Sequence, residues 1–158
     1  MSQVLGRELT AELFDRLKGE DVSSKAGKAI VIVTVDEEGW AHPAMLSYHE
    51  IVAKDRARID LAIGKTSTTA KNLRRTGKIT LLVTDRGFNY YLKGTARELQ
   101  ESMRDVPFMS LFAVELEQLL EDQEPDAVMM SGVTFNRPEK GEVSQIVEKI
   151  FRGVRGRL

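Results

Sequence analysis

The chain has 158 residues, with 23 Lys and Arg against 24 Asp and Glu, a net charge of −1. That balance excludes a protein built mainly to coat nucleic acid or an anionic membrane, and the absence of cysteine excludes disulfides, thiolate metal sites and a cysteine nucleophile. The first 25 residues hold no apolar run long enough for a signal peptide, and no window approaches a membrane span, so the expectation is a soluble, cytoplasmic protein.

In chain order, RELTAELFDRLKGE carries Leu9, Leu13, Phe14 and Leu17 on one stripe, with Thr10 as a cap and Gly19 as a stop, which predicts an N-terminal helix over 7–19. KAIVIVTV (28–35) is β-branched and almost wholly apolar, as a buried strand should be. DEEG fits a hairpin loop and WAHPAMLS (40–47) returns from it. Pro43 cannot donate to a ladder, so this strand is expected at an edge, at a bulge or against something other than a neighbour strand. RIDLAI (58–63), KITLLVT (78–84) and FNYYLKGTAREL (88–99) are further strands, with Gly94 marking a bulge or a close backbone contact. Short turns between them require antiparallel pairing, and their number suggests a closed or partly closed barrel.

PFMSLFAVELEQLLED (107–122) fits two periods. Helical spacing selects Phe108, Leu111, Phe112, Leu116, Leu119 and Leu120, alternation selects Phe112, Val114, Leu116 and Leu120, and pattern alone leans to helix. EQLLEDQEPD reads as a solvated turn, DAVMMSGVTF (126–135) as a last strand, and EVSQIVEKIFRGV as the core of a C-terminal amphipathic helix spanning 139–154. No linker or repeat divides the chain, so 1–158 is expected to be one domain, with its barrel over 28–135.

The stretch KTSTTAKNLRRTGKIT (65–80) concentrates hydroxyls and cations where a strand gives way to a helix. A helix starting near Ser67 leaves its first amides unpaired, and its dipole presents a positive end. Thr66, Ser67, Thr68 and Thr69 add donors, while Lys65 and Lys71 add charge, a combination suited to phosphate. Plain helix capping by Ser67, closed by Gly77, explains the same residues equally well. Elsewhere the signals are weak. His42 and His49 are the only histidines and have no second ligand at useful spacing, so no metal site is expected. No nucleophile elbow or triad pattern is present, and no catalytic residue is assigned.

The order of these elements, with WAHPAMLS, RIDLAI, KTSTTAKNLRRTGKITLLV and KGTAREL as its most telling stretches, resembles the FMN-binding split barrel of the pyridoxamine 5′-phosphate oxidase-like family. The resemblance is good over 28–100 and looser to 135. It implies a mainly β fold with flanking helices, a split barrel of six to seven antiparallel strands, with 111–120 as a strand, and FMN held at a homodimer interface. By position it implies Met45, Leu46 and Ser47 along the flavin ring, Ile63 and Gly64 beside the ribityl chain, and Lys65, Thr66, Ser67, Thr68, Thr69, Lys71 and Asn72 around the phosphate. Asn89 stands where relatives place a Gln that reaches the cofactor.

Two departures matter. Relatives carry a Ser-Arg-Lys-like group where this chain reads Ser67-Thr68-Thr69, which leaves Lys65, Lys71 or Arg74 to neutralise the phosphate. The aromatic and Arg-containing terminus of the oxidase proper is also missing; the chain ends KIFRGVRGRL, and vitamin B6 oxidation is not expected. The implied function is an FMN-dependent oxidoreductase passing hydride or electrons to a small substrate, with no nucleic-acid or membrane partner. The alternative is a non-catalytic carrier of a flavin, a deazaflavin or a haem-like ligand. A nucleic-acid binder using Lys65, Lys71, Arg74, Arg75 and Lys78 is a third reading, disfavoured by the neutral charge balance.

Overall fold

A computed structural model describes residues 1–156. Eight strands form one curled antiparallel sheet: β1 (Ser2–Gly6), β2 (Ala29–Val35), β3 (Ala41–Ser47), β4 (Ile51–Ala53), β5 (Arg58–Gly64), β6 (Lys78–Asp85), β7 (Phe88–Gln100) and β8 (Met109–Asp122). Their spatial order is β3-β2-β6-β7-β8-β5-β4, and β1 adds to β8. Three helices flank the sheet: α1 (Ala11–Leu17), α2 (Thr68–Thr76) and α3 (Glu142–Arg155).

The strands obey their side-chain period of two. Ile30 and Ile32 of β2, Ile59, Leu61 and Ile63 of β5, Ile79, Leu81 and Val83 of β6, and Tyr90 and Leu92 of β7 point into one core. Leu9, Leu13 and Leu17 close one side of that core and are essentially inaccessible to water, each contributing about 1.5–3 kcal/mol by burial. A second cluster joins Ile150, Phe151 and Val154 of α3 to Val52, Ala62, Met103, Val106, Met109 and Leu111.

Residues 111–120 lie in strand β8, as the family resemblance implies, while 107 and 108 belong to the turn before it, and the helical look of the segment has a structural cause. Lys93 pairs with Gln118 but Gly94 with Leu116, so Glu117 is an extra residue that breaks the alternation. Leu116 and Leu119 therefore both face inward, three positions apart, and imitate a helical stripe. Gly94 lies at this bulge, as expected from its place in the strand.

Several boundaries differ from expectation. The N-terminal helix is shorter than 7–19: it starts after the Thr10 cap, whose Oγ1 accepts from the Leu13 amide at 3.1 Å, and its C-cap is Lys18. Residues 2–6 form a strand that no strong pattern marked, because β1 is an exposed edge with little to bury. The short β4 was also unforeseen, and with β1 it brings the count to eight rather than six or seven. The acidic stretch from 117 remains in β8 as far as Asp122 before any turn begins.

Residues 126–135 are not a regular strand. They run extended and touch the sheet at single points: the Ala29 amide donates to the Val133 carbonyl, the Phe135 amide to Gly27, and the Gly87 amide to Met129. β2 already pairs with β3 along its length and with β6 over Val31–Val33, so at its start only Ala29 and Ile30 have a side free of β6 to offer. The C-terminal helix starts at Glu142 rather than 139, directly after Gly141 with its positive φ of 99°.

Candidate functional site

The junction after β5 is built from the backbone outward. Ile63 is buried, the chain turns through Gly64 to Thr66, and Ser67 caps α2. The Ser67 hydroxyl accepts from the Ala70 amide at 3.1 Å and donates to the Gly64 carbonyl at 2.7 Å. Gly77, at φ 68°, closes the helix with its amide on the Leu73 carbonyl. Capping therefore accounts for Ser67, but not for its neighbours. Among the described residues, the Thr68 and Thr69 amides have no acceptor, and Lys71 forms no ion pair. Two free N–H groups, the Thr68 hydroxyl and one exposed ammonium thus share the positive end of α2.

The cations flanking Lys71, namely Lys65, Arg74 and Arg75, are engaged. Lys65 donates to Ser102 Oγ at 2.7 Å. Arg74 grips the Glu98 carboxylate, with Nε at 3.1–3.2 Å and Nη2 at 2.6 Å, and also reaches the Lys65 carbonyl and Ser110 Oγ. Arg75 donates to the Val35 carbonyl and to Asn72 Oδ1. The β2–β3 hairpin tip brings Asp36, Glu37 and Glu38 to the opposite wall of a cleft of about 290 Å³ shared with Thr68, Lys71 and Asn72. Asp36 is turned inward there, with Oδ1 accepting from the Glu38 and Trp40 amides at 2.9 Å each.

The remaining expected site residues are dispersed. Thr66 is exposed, whereas Asn72 is buried and spends its amide on Thr34 Oγ1 at 3.0 Å. Asn89 is buried too: its amide donates to Tyr91 Oη and the Asp122 carbonyl, and its oxygen accepts from Thr84. On the edge strand β3, Met45 is 61% exposed and Leu46 belongs to the core. The Ser47 amide is taken by the Glu50 carboxylate at 2.6 Å, a group that burial pushes above the usual carboxylate range. His42 is half-buried on the same strand. His49 is packed against Phe151, with Arg137 Nη1 at 2.7 Å from its Nε2.

Reading the sequence missed Glu98, Ser102 and Ser110, the residues that bind Arg74 and Lys65. They lie 24 to 37 positions from their partners, and no local pattern announces such contacts.

No protein-family profile matches the sequence. Over 136 residues, however, the chain is 32% identical to the protein YclD of Bacillus subtilis (strain 168), covering 85% of this chain and 88% of YclD. The chain belongs to the YclD family.

Solved structures extend the comparison to the fold. A candidate pyridoxamine 5′-phosphate oxidase from Lactobacillus delbrueckii superposes with a TM-score of 0.57 at 15% identity, covering 75% of this chain and 98% of that one. An FMN-binding protein from Syntrophomonas wolfei gives 0.53 at 17% identity, covering 72% and 88%. This member of the YclD family therefore has the split-barrel fold of pyridoxamine 5′-phosphate oxidase-like proteins. Among the described residues, no helix is long and apolar enough to cross a membrane.

Proposed function

We propose that this chain is a cytoplasmic flavoprotein that binds FMN at the junction of β5 and α2 and works as a homodimer, in one domain. The observation that carries the reading is the pair of unpaired amides at Thr68 and Thr69 beside the free Lys71, set in a fold shared with an FMN-binding protein. Thr66, Thr68, Lys71 and the two amides would hold the phosphate, with Lys65 and Ser67 shaping the turn and Asn72 bracing the helix from behind. Ile63 and Gly64 would flank the ribityl chain, and Met45, Leu46 and Ser47 the ring. Asn89, occupied within its own chain, would take part only by exchanging its present partners. FMN supplies hydride or electron transfer to a small substrate when bound; the residues named bind and orient it.

A dimer is supported by the outer face of the sheet. Register aligns Met45, Val31, Leu82, Tyr91, Leu120 and Val4 in one row across six strands, none of them fully buried. Among the described residues no helix covers that row, and β3 ends the sheet with an unpaired edge.

One observation favours the second reading, a carrier without turnover of a flavin, deazaflavin or haem-like ligand. Lys71 is the one free cation in the first turn of α2 among the described residues, and it shares its cleft with Asp36, Glu37 and Glu38, so a phosphate of nearly two charges is weakly compensated there. A haem would have only His42 to bind, since His49 is enclosed by Arg137 and Phe151.

The test is an absorption spectrum of purified protein, then FMN titration, then NADPH. Bleaching of bound flavin with product formed supports the oxidoreductase, bound flavin that NADH and NADPH leave oxidised supports the carrier, and no flavin absorbance or quenching refutes both flavin readings.

A further inference from the structure

Arg74 is one of the three cations that the sequence leaves to neutralise a phosphate, yet all three nitrogens of its guanidinium hold partners within the chain. Nε and Nη2 grip Glu98 of β7, Nη2 also meets Ser110 Oγ of β8 at 3.0 Å, and Nη1 donates to the Lys65 carbonyl at 2.9 Å. Its fork stands over the Phe112 ring, with Cζ 5.9 Å from the centroid. Ser110 is inaccessible to water and passes its own proton to the Glu101 carbonyl at 2.7 Å. Glu98 is aimed at this point by a second β-bulge, where Glu98 pairs with Phe112 and Gln100 with Leu111. The ion pair also holds the Glu98 carboxyl below the usual carboxylate range.

We infer that Arg74 is a positioning residue: with Glu98 and Ser110 it clamps the Lys65 carbonyl, which fixes the Gly64–Thr66 turn and thereby sets where the first turn of α2, with its unpaired Thr68 and Thr69 amides, stands. The turn is already held from the other side, because the Lys65 amide donates to the Phe108 carbonyl at 2.9 Å and the Ser67 amide to Gly64 at 3.0 Å. Arg74 adds the lateral restraint and ties β5, α2, β7 and β8 to the same short loop. Arginine suits this task because one edge of its planar fork grips the carboxylate in a bidentate pair while the remaining nitrogen reaches the carbonyl, a spread of donors that the compact ammonium of a lysine does not offer.

This inference rests on the phosphate site proposed above, and it predicts the opposite sign from a ligand role for Arg74. If Arg74 bound the phosphate directly, Glu98→Gln would release its charge and tighten FMN, and Arg74→Lys would preserve binding. If it is the clamp, both substitutions loosen the turn.

The experiment titrates wild type, Glu98→Gln and Arg74→Lys with FMN and with riboflavin by fluorescence quenching. The expected result is an FMN Kd raised about tenfold in both variants, the equivalent of one lost interaction of ordinary strength, with riboflavin binding unchanged because it lacks the phosphate. Tighter FMN binding by Glu98→Gln, or unchanged binding by both variants, overturns the clamp. A second measurement needs no flavin: hydrogen exchange at the Ser67 and Lys71 amides should quicken about tenfold in both variants, while β6 amides such as Leu81 keep their protection. Unchanged exchange at Ser67 and Lys71 overturns the clamp as well. Wild type that fails to bind FMN refutes the proposed function instead, and the exchange result then decides the clamp alone.

Discussion

Gly94 shows how much a missing side chain can determine. A Cβ built there would lie 2.5 Å from Val114 Cγ1 and 2.7 Å from the Glu115 carbonyl oxygen, so β7 and β8 approach closely because nothing intervenes. Gly94→Ala should cost about 1–3 kcal/mol, the usual range for overpacking, read from the urea midpoint. Asp85 carries a pH signature. Partial burial alone would raise its carboxyl, but hydrogen bonds from Lys28, the Arg86 amide and Arg16 outweigh it and bring the value to about 2. Its stabilising contribution is therefore complete above the unfolded value near 4 and is lost as pH falls toward 2. Asp85→Asn should lower stability at pH 7 by about 1.5–3 kcal/mol, as expected for hydrogen bonds to a charged group, and should flatten the urea midpoint between pH 4 and pH 2.

The elements differ in how openly the sequence declared them. α2 was legible because a hydroxyl cap, an apolar face and a terminal glycine sit at fixed local offsets, all of which act within a few residues. β8 was ambiguous to pattern because Glu117 disturbs its period, and a bulge is decided by the partner strand rather than by the strand's own residues. The Thr66–Thr69 hydroxyls could be read as donors, but which cation stays free depended on Glu98 and Ser102, contributed by distant segments.

α3 makes its own prediction. It holds Phe151 against His49, whose imidazole is pulled below its ordinary value by burial first and by Arg137 second, with Glu148 opposing. As pH drops below about 6.5 the unfolded chain takes up a proton that the folded His49 resists, so folding weakens. Amides of α3 should exchange faster at pH 5 than at pH 7 after correction for intrinsic rates, and His49→Gln should remove most of that difference.

At the scale of the whole molecule, the row from Met45 to Val4 is the feature that a lone subunit leaves unexplained. Single exposed apolar groups are ordinary, but here the exposed Met45 and Val4 and four half-buried side chains stand in one cross-strand register. The proposed dimer predicts that the wild-type chain sediments at twice its monomer mass, and that Leu82→Asp, in the middle of the row, yields monomers with an unchanged circular-dichroism spectrum. Dimeric Leu82→Asp would count against this face.

The same topology makes β8 the keystone of the sheet. β5 finds no partner in the strand that follows it; it waits for residues 109–115, about fifty positions later, and β1 waits longer still for residues 119–122. During synthesis on the ribosome, the first two thirds of the chain must therefore emerge with β5 and β7 each missing a neighbour, and closure comes in one late step once β8 clears the exit tunnel. A polypeptide stalled before Met109 should be recovered as aggregate or bound to chaperones, and one released after Asp122 should already resist protease across the barrel.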